Sequence, residues 1–350
     1  MHFFPLNEQY KFLKEDININ IKKTLNHGNF ILGPEVRKLE YKLKNYTKSK
    51  YCITTSSCTD ALLMSLMALD VGVGDEVITS AFTYISSIEV ICLIGAKPVL
   101  IDVKKETANI DYKLLKSKIN SRTKAIIVTS LYGNTAEFEE ISIIARKNNI
   151  KIIEDAAQSF GSEYKGRKSC NIVDVGCTSF FPTKILSAYG DSGAIFTNNS
   201  RLAKKFEQIR SHGQSKKYNH KLIGLCGRMD TLQSGIILAK LKFFKKELIQ
   251  RNQIANKYDK FIKKNFEKKN LFRIEKIEDS ISNNYLYTLV TKKRKLLENI
   301  FNKNKIPFMI YYSKSIDQQP AYKKYFSSEK FPSSQFLTQN CISIPCHPYL

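Results

Sequence analysis

A chain of 350 residues with 43% hydrophobic content can bury a large core, enough for one large domain and a smaller one. Its 56 Lys and Arg against 32 Asp and Glu leave a net charge of +24, but the basic residues are spread along the chain, which argues against nucleic-acid binding and for a solvated surface that steers anionic substrates. No apolar run approaches a membrane span and the N-terminus lacks a basic start followed by an apolar stretch, so a cytoplasmic protein is expected.

Apolar runs and helical patterns alternate from about residue 34 to 210. Pro34 suits the first turn of a helix, and Val36, Leu39, Leu43 and Tyr46 repeat at three and four. Tyr51–Thr55 reads as a strand and 59–69 as a helix. Short β-rich runs at 76–79, 98–101, 125–129 and 152–154 alternate with helical patterns near 84–94, 111–119 and 136–148. The pattern predicts an α/β fold, a mainly parallel sheet covered by helices on both faces. A Lys-rich helical stretch over 236–268, a strand at 285–290 and a helix at 294–304 predict a smaller α+β C-terminal domain. The expected division is 1–235 and 236–350. Eight cysteines include no Cys-x-x-Cys pair and read as reduced thiols, and the five scattered His predict no metal site.

The chemistry concentrates between Ile152 and Ala194. Asp155 ends an apolar run, in Ile-Ile-Glu-Asp-Ala-Ala-Gln, and Lys184 follows 29 residues later in Ser-Phe-Phe-Pro-Thr-Lys. A pyridoxal phosphate (PLP) enzyme needs such a pair, a carboxylate for the protonated ring nitrogen and an amine for the covalent link to the cofactor. Phe180, Phe181 and Pro182 are expected to shield Lys184 from water. Ser56-Ser57-Cys58-Thr59 turns from strand to helix, where unpaired amides and the helix dipole favour a phosphate. Each residue has a plainer alternative: Asp155 and Thr59 as helix caps, Lys184 and Gln158 as surface residues, Tyr84 as core.

In combination these segments resemble the DegT/DnrJ family, PLP-dependent sugar-nucleotide aminotransferases of fold type I. The motifs are Glu-Asp-Ala-Ala-Gln at 154–158, Ser-Phe-Phe-Pro-Thr-Lys at 179–184 and His-Gly-Gln-Ser-Lys-Lys-Tyr at 212–218, and the likeness runs from about Gly33 to His347. The resemblance implies Lys184 and Asp155 as catalytic residues, with Gln158, Cys58, Thr59, Tyr84 and Ser179 around the cofactor. It further implies a homodimer in which the 212–230 stretch reaches the partner subunit's site, where Lys216, Lys217 and Arg228 meet an anionic sugar nucleotide. A solvated basic loop is the alternative for that stretch. The implied reaction moves an amino group, from glutamate as in the family, to a nucleotide-linked keto-sugar of the UDP-linked 3-keto type. Its product would serve surface polysaccharide or lipopolysaccharide biosynthesis.

Four departures stand out. Cys58 occupies a position that is usually small, and Cys226 a position usually held by asparagine. Ser192, and Ser187 with it, replace glycines, with strain expected where a turn wants positive φ. The chain ends at Leu350, where a final helix is expected, so a truncated small domain is a further expectation. An inactive paralogue and a sugar dehydratase are the alternatives, and Lys184 speaks against the dehydratase, which carries histidine there.

Overall fold

Helix α1 (Leu6–His27) and helix α2 (Pro34–Thr47) precede a seven-stranded sheet. Its strands are β1 (Tyr51–Thr55), β2 (Glu76–Ser80), β3 (Lys97–Ile101), β4 (Thr123–Thr129), β5 (Lys151–Asp155), β8 (Val175–Ser179) and β9 (Gly193–Thr197). The computed structural model describes residues 2–266, 271–326 and 328–350. Strand order is β1-β9-β8-β5-β4-β2-β3, and only β9 runs against the other six. Alternate residues of one strand serve opposite layers: Ala125 and Ile127 of β4 join one core cluster, Ile126 and Val128 another. Burial on both faces explains the uninterrupted apolar run in the sequence.

Helices α3 (Cys58–Ala68), α4 (Ser86–Leu93) and α7 (Ser200–Ile209) share the first layer, and α5 (Leu115–Lys118) and α6 (Phe138–Lys147) the second. The helix expected over 111–119 is a 3₁₀ turn at Tyr112–Leu114 leading into the four residues of α5. Sequence reading passed over α1, although Leu13, Ile17 and Thr24 are buried along one side of it. The single helix expected over 236–268 is two, α8 (Thr231–Leu241) and α9 (Phe244–Phe266), and residues 267 and 268 lie outside the described set. The expected domain division at 235 falls inside α8, which packs on α1 and α2. A continuous apolar pattern through Ile236–Phe244 concealed the break.

Two small pieces lie beside the main sheet, β6 (Glu163–Tyr164) with β7 (Arg167–Lys168), and β10 (Gln214–Lys216) with β11 (Asn219–His220). C-terminally, β12 (Phe272–Arg273), β14 (Tyr287–Val290) and β15 (Cys341–Ile344) form an antiparallel sheet. Its own cluster joins Ala255 of α9 to Tyr287, Leu289, Ile342 and Cys346. Strand β13 (Ser280–Ile281) leaves this sheet and pairs with β6. That return brings the segment up to Tyr285 back over the large sheet.

Candidate active site

In an open sheet of this kind ligands bind beyond the carboxyl ends of the strands. Thr129, Asp155 and Ser179 are the last residues of β4, β5 and β8, and Ser57 and Cys58 follow β1. All of them line one cavity of about 340 Å³, together with Thr59, Tyr84, Gln158 and Lys184. Sequence reading named seven of these positions, and the fold brings all seven together.

Asp155 is 2% exposed. Its carboxylate accepts hydrogen bonds from the Ala157 amide and the Ser87 hydroxyl, each at 3.1 Å. Burial pushes its pKa above the ordinary carboxylate value, against the opposing pull of these donors and of Lys184. Among the described residues it has no cation within ion-pair distance. A buried carboxylate facing a cavity without a counter-ion fits a protonated ring nitrogen. Cys58 fits as well, with its thiol 3.9 Å from Asp155 Oδ1 and its proton held firmly by burial.

The start of α3 forms another part of the lining. Ser57 caps it by accepting from the Asp60 amide at 3.0 Å, and the first helical amides have no partner within the helix. Gly193 makes this approach possible. A Cβ there would lie 2.5 Å from the Ser57 carbonyl carbon and 2.7 Å from the Cys58 nitrogen. With Thr59 and Ser179 lining the same space, the donor set suits a phosphate. The residues present therefore fit PLP.

Lys184 follows β8 on a turn closed by its own amide to the Phe181 carbonyl at 2.8 Å. The shielding expected from its neighbours takes another form. Phe180 is fully buried against Phe160, at 5.8 Å between ring centroids, and Phe181 is 46% exposed. The aromatic face that Lys184 meets is Tyr285, with Nζ 4.7 Å from the ring centroid. The strain expected at the substituted glycines is also absent, since neither Ser187 nor Ser192 has a positive φ. Ser192 is buried, and its carbonyl accepts from the Phe180 amide at 2.7 Å.

Sequence reading missed the third wall. Tyr285, Tyr311 and Tyr312 come from the C-terminal part and line the cavity. Gln158 Nε2 donates to the Tyr312 hydroxyl at 3.1 Å, while Gln158 Oε1 accepts from the Tyr132 amide at 2.7 Å. Tyr132 adopts φ 59°, a costly conformation for a bulky residue, and its ring is buried. Tyr84 is 54% exposed, with its ring 6.2 Å from that of Tyr312. No local pattern in the sequence marks these tyrosines; only the return of the chain through β13 could have found Tyr285.

The basic residues are placed apart. Lys216 ends β10 and Lys217 follows it, both exposed; Arg228 is half-buried with Nη2 3.1 Å from Cys226 Sγ. None lines the cavity, where Lys184 is the one Lys or Arg among the described residues. The loop at 227 nevertheless touches the turn that leads into α3, since its carbonyl accepts from the Ser56 amide at 2.9 Å. All eight cysteines are free, six of them buried, and no cluster of metal-binding side chains occurs among the described residues.

The chain is similar to a UDP-2-acetamido-2-deoxy-3-oxo-D-glucuronate aminotransferase of Pseudomonas aeruginosa, 42% identical over all of this chain and 96% of that protein. A dTDP-3-amino-3,6-dideoxy-alpha-D-galactopyranose transaminase of Aneurinibacillus thermoaerophilus is 35% identical over 99% of this chain and 94% of its own. Among solved structures, an aminotransferase from Brucella abortus superposes with a TM-score of 0.95 at 34% identity, covering 100% of this chain and 95% of that one. The family model for DegT/DnrJ/EryC1/StrS aminotransferases matches residues 11–350, and the protein belongs to that family.

Proposed function

We propose that this protein, a PLP-dependent aminotransferase acting on a nucleotide-linked keto-sugar, takes its amino group from glutamate and delivers it to a UDP-linked 3-keto sugar. One observation carries the aminotransferase reading: the counter-ion-free Asp155 carboxylate and the Lys184 amine line one cavity together with the start of a helix. The cofactor, when bound, supplies the electron sink that lets an amino acid lose its α-proton. Lys184 is the group that attaches it and carries that proton. Asp155 holds the ring nitrogen protonated, while Thr59, Ser179 and the α3 amides hold the phosphate. Gln158 and Tyr84 orient and cover the ring. The 42% relative, whose name states a UDP-linked 3-oxo sugar, supports the nucleotide and the position aminated.

Charge supports a homodimer. A cofactor phosphate and a nucleotide diphosphate together bring more negative charge than Lys184 can balance, and the cavity offers no second lysine or arginine among the described residues. In the proposed dimer, Lys216, Lys217 and Arg228 of a second copy supply it. A cytoplasmic location agrees with this substrate class, and no helix among the described residues is long and apolar enough to cross a membrane.

The test is direct. Protein incubated with PLP and glutamate should lose the long-wavelength absorbance of the lysine-linked cofactor and release 2-oxoglutarate. Adding a UDP-linked 3-keto sugar should restore the band and yield the amino-sugar by mass spectrometry. Loss of the band with no sugar turnover would overturn the substrate, and no band at all would overturn the site.

A further inference from the structure

Residues 185–190, which directly follow Lys184, are clamped from one side by one face of α8. Gln233, Ile237 and Lys240 stand at spacings of four and three, so they share that face. Gln233 Oε1 accepts from the Tyr189 amide at 2.9 Å, and Ile237 shares a core cluster with Ile185, Leu186 and Ala188. Lys240 is the third contact. Only 3% exposed, it donates to the Ser187 hydroxyl at 2.8 Å and lies 4.1 Å above the Tyr189 ring.

A buried lysine normally has a carboxylate partner. Among the described residues Lys240 has none within ion-pair distance, and the acid nearest in effect is Glu247 of α9. Glu247 is engaged elsewhere, by Gln9 of α1 at 3.0 Å and by the Tyr349 hydroxyl at 2.8 Å. Among the described residues, Tyr189 itself and Tyr10 of α1, whose rings lie 6.1 Å apart, also face this spot, and Tyr349 is close enough to Tyr189 to feel its charge. No cavity-lining residue is in this set, so the proposed reaction does not use it.

Resting on that reaction, we propose that Lys240 is a positioning residue for Lys184: through Ser187 and Tyr189 it ties the lysine-bearing loop to α8, the helix that directly continues the Arg228 loop. The arrangement gives Ser187 a purpose, since its hydroxyl is the acceptor that a glycine would lack. It also links the basic hairpin to the reacting lysine through one rigid helix.

Burial brings the Lys240 pKa down to about 7 from 10.5. A lysine whose folded value is depressed binds fewer protons in the native state than in the unfolded one between those values. Its contribution to stability therefore rises with pH from about 7 towards 10.5 and is flat below. Locally the sign is the same: loop opening that exposes Lys240 is favoured while the side chain is protonated and is disfavoured above about pH 7.

The test begins with cofactor-free protein, so that its failure differs from failure of the proposed reaction. Hydrogen exchange should be followed for the amides of Lys184, Ala188 and Tyr189 in wild type, Lys240→Met and Ser187→Ala. The tie predicts roughly tenfold faster exchange in both variants, confined to this loop, with α9 and the main sheet unchanged. Wild-type loop protection, corrected for intrinsic rates, should rise from about pH 7 upward, and that rise should vanish in Lys240→Met. In the loaded enzyme kcat should fall while KM for the sugar nucleotide stays. Unchanged loop exchange in Ser187→Ala, or loosening spread evenly over the whole molecule in both variants, would overturn the assignment.

Discussion

The cofactor cup and the basic hairpin are built in opposite ways. The cup is made of strand ends and a helix start, with Asp155, Cys58 and Ser179 buried and with Gly193 packed so close to the Ser57–Cys58 backbone that no Cβ fits. The hairpin of β10 and β11 is exposed at Lys216 and throughout β11 and half-buried at Gln214 and Ser215, its strands pair only with each other, and it carries its lysines into solvent. Bond-making requires groups fixed by the core before the ligand arrives. Charge attraction to a diphosphate tolerates looser placement, because it acts over the Debye length.

Substitutions break this comparison in order of expected size. Lys184→Ala should cost the most, a rate loss on the order of 10²–10⁴ with the lysine-linked absorbance abolished, measured by turnover and spectrum. Asp155→Asn should follow, with a loss on the order of 10² in the glutamate half-reaction and PLP retained less tightly. Gly193→Ala should act on the cup's shape by pushing the Ser57–Cys58 turn outward. About 1–3 kcal/mol of stability is expected to go, along with weakened cofactor binding, read by thermal melting with and without PLP. Lys216→Ala combined with Lys217→Ala should be the mildest, raising KM for the sugar nucleotide roughly tenfold, more at low salt than at high. The glutamate half-reaction should be untouched. Equal damage to both half-reactions would mean that the hairpin belongs to the cup after all.

Legibility in the sequence followed the same division. Asp155 and the Ser57–Thr59 turn could be read because each follows an apolar run that reveals a strand. Lys184 was legible only from its spacing to Asp155 and the Ser-Phe-Phe-Pro-Thr-Lys motif, the strand β8 before it having gone unpredicted. Helix α1 escaped notice because its buried positions are interleaved with lysines, and the break between α8 and α9 because both sides of it are apolar. The third wall had no local signal. Tyr285 reaches Lys184 only because β13 crosses to pair with β6, and Tyr312 meets Gln158 across 154 residues of chain.

The serines at 187 and 192 show where substitution by itself misleads. Their extra atoms suggest strain, yet the backbone there avoids positive φ, one hydroxyl accepts from a buried lysine and the other residue's carbonyl closes the turn. The sequence by itself determined the ends of β1, β4 and β5, and with them the carboxylate and the turn into α3, because local hydrophobic periodicity dictates where those strands stop. Only the tertiary structure decided which aromatic faces close the cavity and what braces the lysine loop. Those contacts join residues far apart in the chain, and no short-range pattern encodes them.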